Sequence, residues 1–372
     1  MELTNDQQAL LENKPTKRIF LHGPAGTGKT TAGTRWLHKL LQNGIPAHQI
    51  LVYTPQRALA DRYQQALRQS SGLSHSLITP LTLGGLARRM VDLFWPLVSC
   101  KTGSENPDQP PNFLTLETAQ YYMAHIVRPQ IESFNLFGSL TINRNRIYSQ
   151  ILDNLNKAAI VGFPYQEIGE RLKSAWVGGV EQLNIYDDVQ SCANQFRAFC
   201  LENNLLDFSL QVEILRDHLW TLPECREHLR RNYQHLIVDN LEEDPPVSHD
   251  ILRDWLPEFT SALLIFDDEA GYRFFLGADV ESGFSLRNAC QVQVSFTQNL
   301  VCSEGVRQLK SGVNNALMIL QNRSEEYPMP EFKVLKQALV TPETNPKYFP
   351  TMIRWVADQI KALVVQGTPP SE

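Results

Sequence analysis

The stretch KRIFLHGPAGTGKTTAGTRWLHKLL, residues 17 to 41, constrains this chain more than any other. Ile19, Phe20 and Leu21 form an apolar run that predicts a short buried strand. Gly23, Pro24, Ala25, Gly26, Thr27, Gly28, Lys29 and Thr30 then fit the GxxxxGK[ST] spacing without a mismatch. From Thr31 onward, Ala32, Trp36, Leu37, Leu40 and Leu41 recur at helical spacing. Strand, glycine-rich loop and helix in this order make a cradle for phosphate. The glycines let backbone N–H groups turn inward, and the helix N-terminus adds partial positive charge. Lys29 is placed to reach the β- and γ-phosphates, and the Thr30 hydroxyl to ligate magnesium. A chance glycine turn would need neither the strand before it nor the helix after it.

The rest of the composition sets bounds. With 372 residues, the chain is long enough for two or three domains. Its 42% hydrophobic and 20% charged residues are the balance of a folded, soluble protein. No apolar run approaches the ~20 residues that cross a bilayer. The polar start MELTNDQQALLENKPTKR lacks the apolar core of a signal peptide, so a cytoplasmic protein without membrane contact is expected. Six scattered cysteines without a CxxC pair predict reduced, structural thiols rather than metal ligands. A net charge of −6 gives no global basic footprint, so any nucleic-acid contact has to come from a local surface.

Two further stretches repeat the strand-then-helix theme. HQILVYTPQRALADRYQQAL (48 to 67) reads as a strand ending at Thr54-Pro55, followed by an amphipathic helix. SLITPLTLGGLARRMV (76 to 91) reads as a short strand, then Thr82, a Gly84-Gly85 pair and a helix with Arg88 and Arg89. Threonine before a helix is also plain N-cap chemistry.

Taken together, the ordered motifs resemble the UvrD/Rep branch of superfamily 1 DNA helicases. LTNDQQALL resembles its Q motif, with Gln7 in the adenine-reading position, and GPAGTGKT its motif I. VYTPQRALA and LTLGGLA resemble motifs Ia and Ib. LLDFSLQVEIL (205 to 215) resembles the helix preceding motif II, and LIVDNLEED stands at motif II. Residues 263 to 279 stand at motif III and residues 296 to 317 at motif IV.

The resemblance implies an α/β fold: a RecA-like P-loop NTPase domain with a parallel sheet, built from residues 1 to about 100 and about 205 to 290. It further implies a polar linker over 100 to 112, a helical insertion over 113 to 204, and the beginning of a second RecA-like domain over 291 to 372. Arg144, Arg146 and Lys157 of the insertion are then candidate phosphate contacts or simply a solvated face. By the same resemblance ATP is bound by Gln7 and by Gly23 through Thr31, with Mg²⁺ on Thr30 and Asp239. Single-stranded DNA would pass Thr54, Gln56, Arg57 and Thr82.

Three catalytic positions depart from the family pattern. Motif II reads Asp239-Asn240-Leu241-Glu242-Glu243 where the family has Asp-Glu-x-Gln-Asp. Asp239 keeps the magnesium role, whereas Asn240 can hold a water but cannot take its proton. General-base assistance is typically worth ~10²–10⁴ in rate. Glu242 and Glu243 are expected to point elsewhere. Motif III places Glu269 where the family has a glutamine and Leu276 where it has an arginine. Motif IV reads Asn299-Leu300-Val301 and lacks the family's cation. The last stretch, 348 to 372, reads as a helix leading into a second domain whose motifs V and VI lie outside this sequence, in keeping with either a fragment or a half-motor.

Three readings follow. The first is the ATP-binding part of a DNA-dependent ATPase and helicase with impaired hydrolysis. The second is a non-catalytic ATP- and ssDNA-binding module, a partner subunit of a recombination or repair complex. A small-molecule kinase, the third, explains neither Gln7, nor the insertion, nor residues 263 to 279.

Overall fold

A computed structural model of the protein describes residues 4–69, 80–321, 329, 331–335 and 338–368. The chain divides into two units, Met1–Asn299 and Leu300–Glu372.

The first unit is organised by strands β1 (Arg18–Gly23), β2 (Ile50–Tyr53), β3 (Asn112–Phe113), β4 (Leu205–Leu206), β5 (His235–Val238), β6 (Ser261–Asp267) and β7 (Val292–Ser295). Five of them form one sheet in the order β2-β5-β6-β1-β7, and every pairing is parallel. Alternation along the strands sorts side chains onto two faces. Ile19, Leu21, Ile50, Val52, Ile237, Leu263 and Ile265 enter one core, where Trp36, Leu37 and Leu40 of helix α2 (Lys29–Gln42) meet them. Phe20, Leu51, Tyr53, Leu236, Val238, Leu264 and Phe266 enter the other. Apolar runs buried on both faces are what a parallel sheet requires. Because all five strands run one way, the chain leaves β5, β6 and β1 at adjacent points on one edge. Open α/β sheets bind ligands at that edge.

The helical insertion is not a separate body. Its helices Leu116–Phe134, Arg144–Val161 and Asn184–Glu202 contribute Met123, Val127, Ile151, Leu155 and Phe196 to the same core as Phe20 and Val238. A buried ion network fastens it. Arg197 is almost wholly enclosed, donating to Ser209 Oγ and Glu213 Oε1 at 3.0 Å, with Asp207 Oδ1 at 3.5 Å and the Tyr165 ring beneath its guanidinium. Asp207 also caps the helix Phe208–Ile214 through Leu210 N. Arg197→Ala would strand both carboxylates in the interior. Breaking a buried pair in this way typically costs ~3–5 kcal/mol, and we expect a loss of that order in denaturant unfolding of the chain; a change within ~0.5 kcal/mol would contradict the role.

Two further stretches bear on the expected organisation. The polar linker over residues 100–112 is held at several points. Asn204 donates to the carbonyls of Asn106 and Gln109, Trp95 Nε1 donates to Gln109 O, and Asn112 pairs in β3 with Leu205 of β4. Residues 291–299 belong with the first unit, because β7 hydrogen-bonds along β1 and Phe296 joins the core around α2. The unit boundary therefore lies at Asn299, beyond the expected 290. The strand expected at 76 to 79 lies outside the described residues, and only Leu81 is seen bridging to Tyr53.

The second unit carries helices Glu304–Leu320, Phe332–Leu335 and Phe349–Val365. Among the described residues no helix is long and apolar enough to cross a membrane. Burial pushes the thiols of Cys192, Cys225 and Cys290 up to about 12, so they stay protonated, as structural cysteines should.

Candidate functional site

Leaving β1, the backbone takes left-handed conformations at Gly26 (φ 79°) and Gly28 (φ 80°), and Gly28 directly precedes α2. Side chains rarely tolerate that region, so these glycines permit the wrap. Thr27 is buried and closes the loop by donating to Pro24 O at 2.9 Å. Asn299 closes it from β7's side, donating to Ala25 O at 2.8 Å.

Lys29 is folded over the loop. Its Nζ donates to Gly23 O at 2.6 Å and Pro24 O at 2.7 Å, and it pairs with Asp267 Oδ2 at 3.0 Å. The sheet order explains the third contact, since Asp267 ends β6 beside β1. A phosphate chain entering the loop would draw the ammonium away from Asp267.

Asp239 follows β5 and is only 2% exposed. It accepts from Tyr63 Oη at 2.9 Å, from the N–H of Asn240 at 3.0 Å and from the Thr30 hydroxyl. Burial raises its carboxyl above the ordinary range, against the pull of the Tyr63 and Thr30 hydroxyls and the more distant Lys29 charge. A buried anion beside a loop threonine, short of a full positive partner, suits a divalent cation. Among the described residues no cluster of three acidic, histidine or cysteine side chains forms a metal cage. A magnesium ion here would rely on Thr30, Asp239 and the phosphates themselves.

Asn240 sits in the left-handed region at φ 61°, where asparagine is tolerated better than most residues. Its Nδ2 lies 3.4 Å from Glu242 Oε1. Glu242 is 0% exposed and, contrary to expectation, turns back toward the site. Its second oxygen accepts from Asp267 N at 2.8 Å, and burial lifts its carboxyl to about 7 despite that bond. Glu243 does turn away, accepting from Gly271 N with Arg273 Nε 3.7 Å off. Glu269 is exposed, with its N–H on Asp267 Oδ1. Two carboxylates therefore touch the loop, Asp267 at Lys29 and Asp239 at Thr30.

Residues 272 to 276 form one tight turn between left-handed Gly271 and Gly277. Tyr272 (75% exposed), Phe274 (74%), Phe275 and Leu276 face solvent. Arg273 points inward to Glu243 and to the Gln56 amide oxygen, 2.6 Å from Nη1. Leu276 supplies no cation, and Arg273, three residues earlier, is engaged with Glu243 and Gln56.

The expected strand-path residues divide. Thr54 is 0% exposed and spends its hydroxyl on Gln56 O at 2.8 Å, so it shapes its loop instead of lining a path. Arg57 and Thr82 line a cleft of about 600 Å³ with Arg88, Arg89 and Asp92. Thr82 also caps its helix through Gly85 N. Gln7 is buried and forms a capping box with Thr4. Leu300 and Val301 fall in the second unit.

A family model for the UvrD/REP helicase N-terminal domain matches residues 3–282. The chain belongs to the UvrD/REP helicase family. No curated protein gives a significant match. The α/β fold with a parallel central sheet is that of a member, and so is the phosphate loop at the sheet's carboxyl edge. Tyr63 and Asp267 were not singled out from sequence as parts of the site, and Asn299 was named only as the first residue of motif IV. Tyr63 occupies an apolar position of an amphipathic helix and reads as core, while Asp267 is one of several acids in a row.

Proposed function

We propose that this chain is the ATP-binding part of a UvrD-like motor that binds Mg-ATP and single-stranded DNA and hydrolyses ATP slowly. The observation that carries the reading is the convergence of Lys29, Thr30 and Asp239 beside an asparagine at the catalytic position. Thr30 and Asp239 would hold the magnesium ion, which neutralises charge on the phosphates when bound. Lys29 would hold the terminal phosphates. Asn240 can orient a water through its amide, yet its amide takes no proton. Equilibrium binding of a fluorescent ATP analogue, run beside a phosphate-release assay, tests the proposal. Tight binding with turnover far below the usual ~1–10³ s⁻¹ supports it, and brisk DNA-stimulated turnover refutes it.

For DNA, the support is the arginine-lined cleft with Arg57 and Thr82, together with the exposed Tyr272, Phe274 and Phe275. Aromatic faces stack bases of any sequence, and arginines meet the backbone. Affinity should be sequence-indifferent and fall with salt. Removing one phosphate-binding side chain, as in Arg57→Ala, should shrink the log–log slope by about 0.7. Anisotropy titrations of labelled oligonucleotides across a salt series measure this; a slope near zero in the parent chain would remove the strand path from the account.

A second reading is a non-catalytic module that serves as partner subunit in a recombination or repair complex. It is favoured by Asp267, a carboxylate opposite the phosphate loop that opposes ATP once Lys29 leaves it. Adding candidate partners to the hydrolysis assay separates the readings, because only a partner that supplies missing groups would raise turnover.

A further inference from the structure

The carboxylate of Asp267 is fixed against the phosphate loop. Asp267 pairs in register with Gly23, the first residue of the loop, and the N–H of Asp268 donates to Gly23 O at 3.1 Å. Its Oδ1 accepts from Glu269 N at 2.9 Å, which leaves Oδ2 on the Lys29 ammonium at 3.0 Å. Only 14% of the side chain is exposed, so solvent ions screen this charge poorly. The neighbouring cation does not help, because Arg273 is turned to Glu243 and Gln56. We propose that Asp267 makes this site select the nucleoside diphosphate over the triphosphate. The inference rests on the reading of the loop as an ATP site.

The selection follows from the charge that each phosphate would meet. A β-phosphate is held by the backbone N–H groups of the loop and by the start of α2. The γ-phosphate lies beyond those amides and depends on Lys29. That ammonium is already committed to Asp267. If both anions share it, two bonds of ordinary length place the γ-phosphate within about 6 Å of the carboxylate. If the phosphate takes it outright, the carboxylate loses its cation in a largely enclosed position. Either way the third phosphate meets a like charge that a diphosphate escapes. Two unit charges that close, in a half-buried setting, are worth roughly tenfold or more in an equilibrium constant. Hydrolysis would remove the third phosphate and the repulsion with it, so the product is held more tightly than the substrate.

The test compares the parent chain with Asp267→Asn and with Asp268→Asn, a neighbouring carboxylate that pairs with His22 at 3.0 Å. Isothermal titration with Mg-ADP and with the magnesium complex of a β–γ-imido triphosphate analogue gives two affinities for each protein. The parent should bind the diphosphate at least about tenfold more tightly. Asparagine at 267 can still accept from Glu269 N, and Lys29 keeps its bonds to the Gly23 and Pro24 carbonyls, so the loop should persist. The preference should then fall about tenfold in Asp267→Asn and stay within about threefold of the parent's in Asp268→Asn. Comparing preferences between proteins cancels any intrinsic bias of the analogue. A parent that binds both nucleotides equally overturns the inference, and that outcome needs no variant to fold. So does an unchanged preference in Asp267→Asn, or an equal fall in Asp268→Asn. A parent that binds neither nucleotide would overturn the proposed function itself, and the inference with it.

Discussion

Lys29→Ala is expected to lower nucleotide affinity by at least about 100-fold. Hydrogen bonds to charged groups are worth ~1.5–3 kcal/mol each, and Lys29 would make more than one to a triphosphate. A second term adds to the first. Asp267 is held at 3.0 Å by this ammonium, and without it a bare carboxylate would face the phosphates. The variant should still fold, because the side chain contributes little to either core. Isothermal titration with Mg-ATP and an ATP analogue measures the change. Affinity within a few-fold of the parent would remove the loop assignment, and with it the basis of the account.

Asn240→Glu is expected to act in the opposite direction, raising hydrolysis by about 10²-fold. General-base assistance spans ~10²–10⁴, and the lower end is expected for two reasons. A glutamate at 240 would sit beside Glu242 and feel its charge, and it would have to adopt the left-handed backbone that Asn240 occupies at φ 61°. That conformation should reduce stability by ~1–2 kcal/mol. Phosphate-release kinetics with and without single-stranded DNA, alongside a thermal melt, report both effects. Faster turnover with a lower melting temperature is the expected pair. No gain in turnover would place the defect elsewhere, at the cation missing from Asn299-Leu300-Val301 or in groups supplied by a partner.

Legibility in the sequence followed the length scale of the interactions. The phosphate loop is a local device: residues 19 to 30 contain the strand, the glycines, Lys29 and Thr30, and all could be read in a line. Asp239 was legible for the same reason, as the first acid after an apolar run. What joins the site across the sheet was not. The Lys29–Asp267 pair spans 238 residues and depends on β6 lying next to β1. The Tyr63–Asp239 bond spans 176 and depends on the helix after β2 folding back over α2. Neither follows from periodicity. Glu242 was expected to point away on the ground that it follows in the next turn. The short helical turn at Leu241–Glu243 instead returns its side chain to Asn240, while Glu243 leaves. Thr54 failed as a strand contact through burial, which a threonine before a proline does not advertise. All of β7 was assigned to the second domain because the motif order placed a boundary near 290, whereas β7 pairs with β1 in the first unit.

The central claim is that this chain holds Mg-ATP but turns it over slowly. The most direct test mixes the purified chain with Mg-ATP and saturating single-stranded DNA, then follows bound nucleotide and released phosphate in the same sample. The account predicts one nucleotide retained per chain and dependent on Lys29, with phosphate released more slowly than ~0.1 s⁻¹, well below the usual enzyme range. Release at or above ~1 s⁻¹, or no retained nucleotide at all, would contradict it.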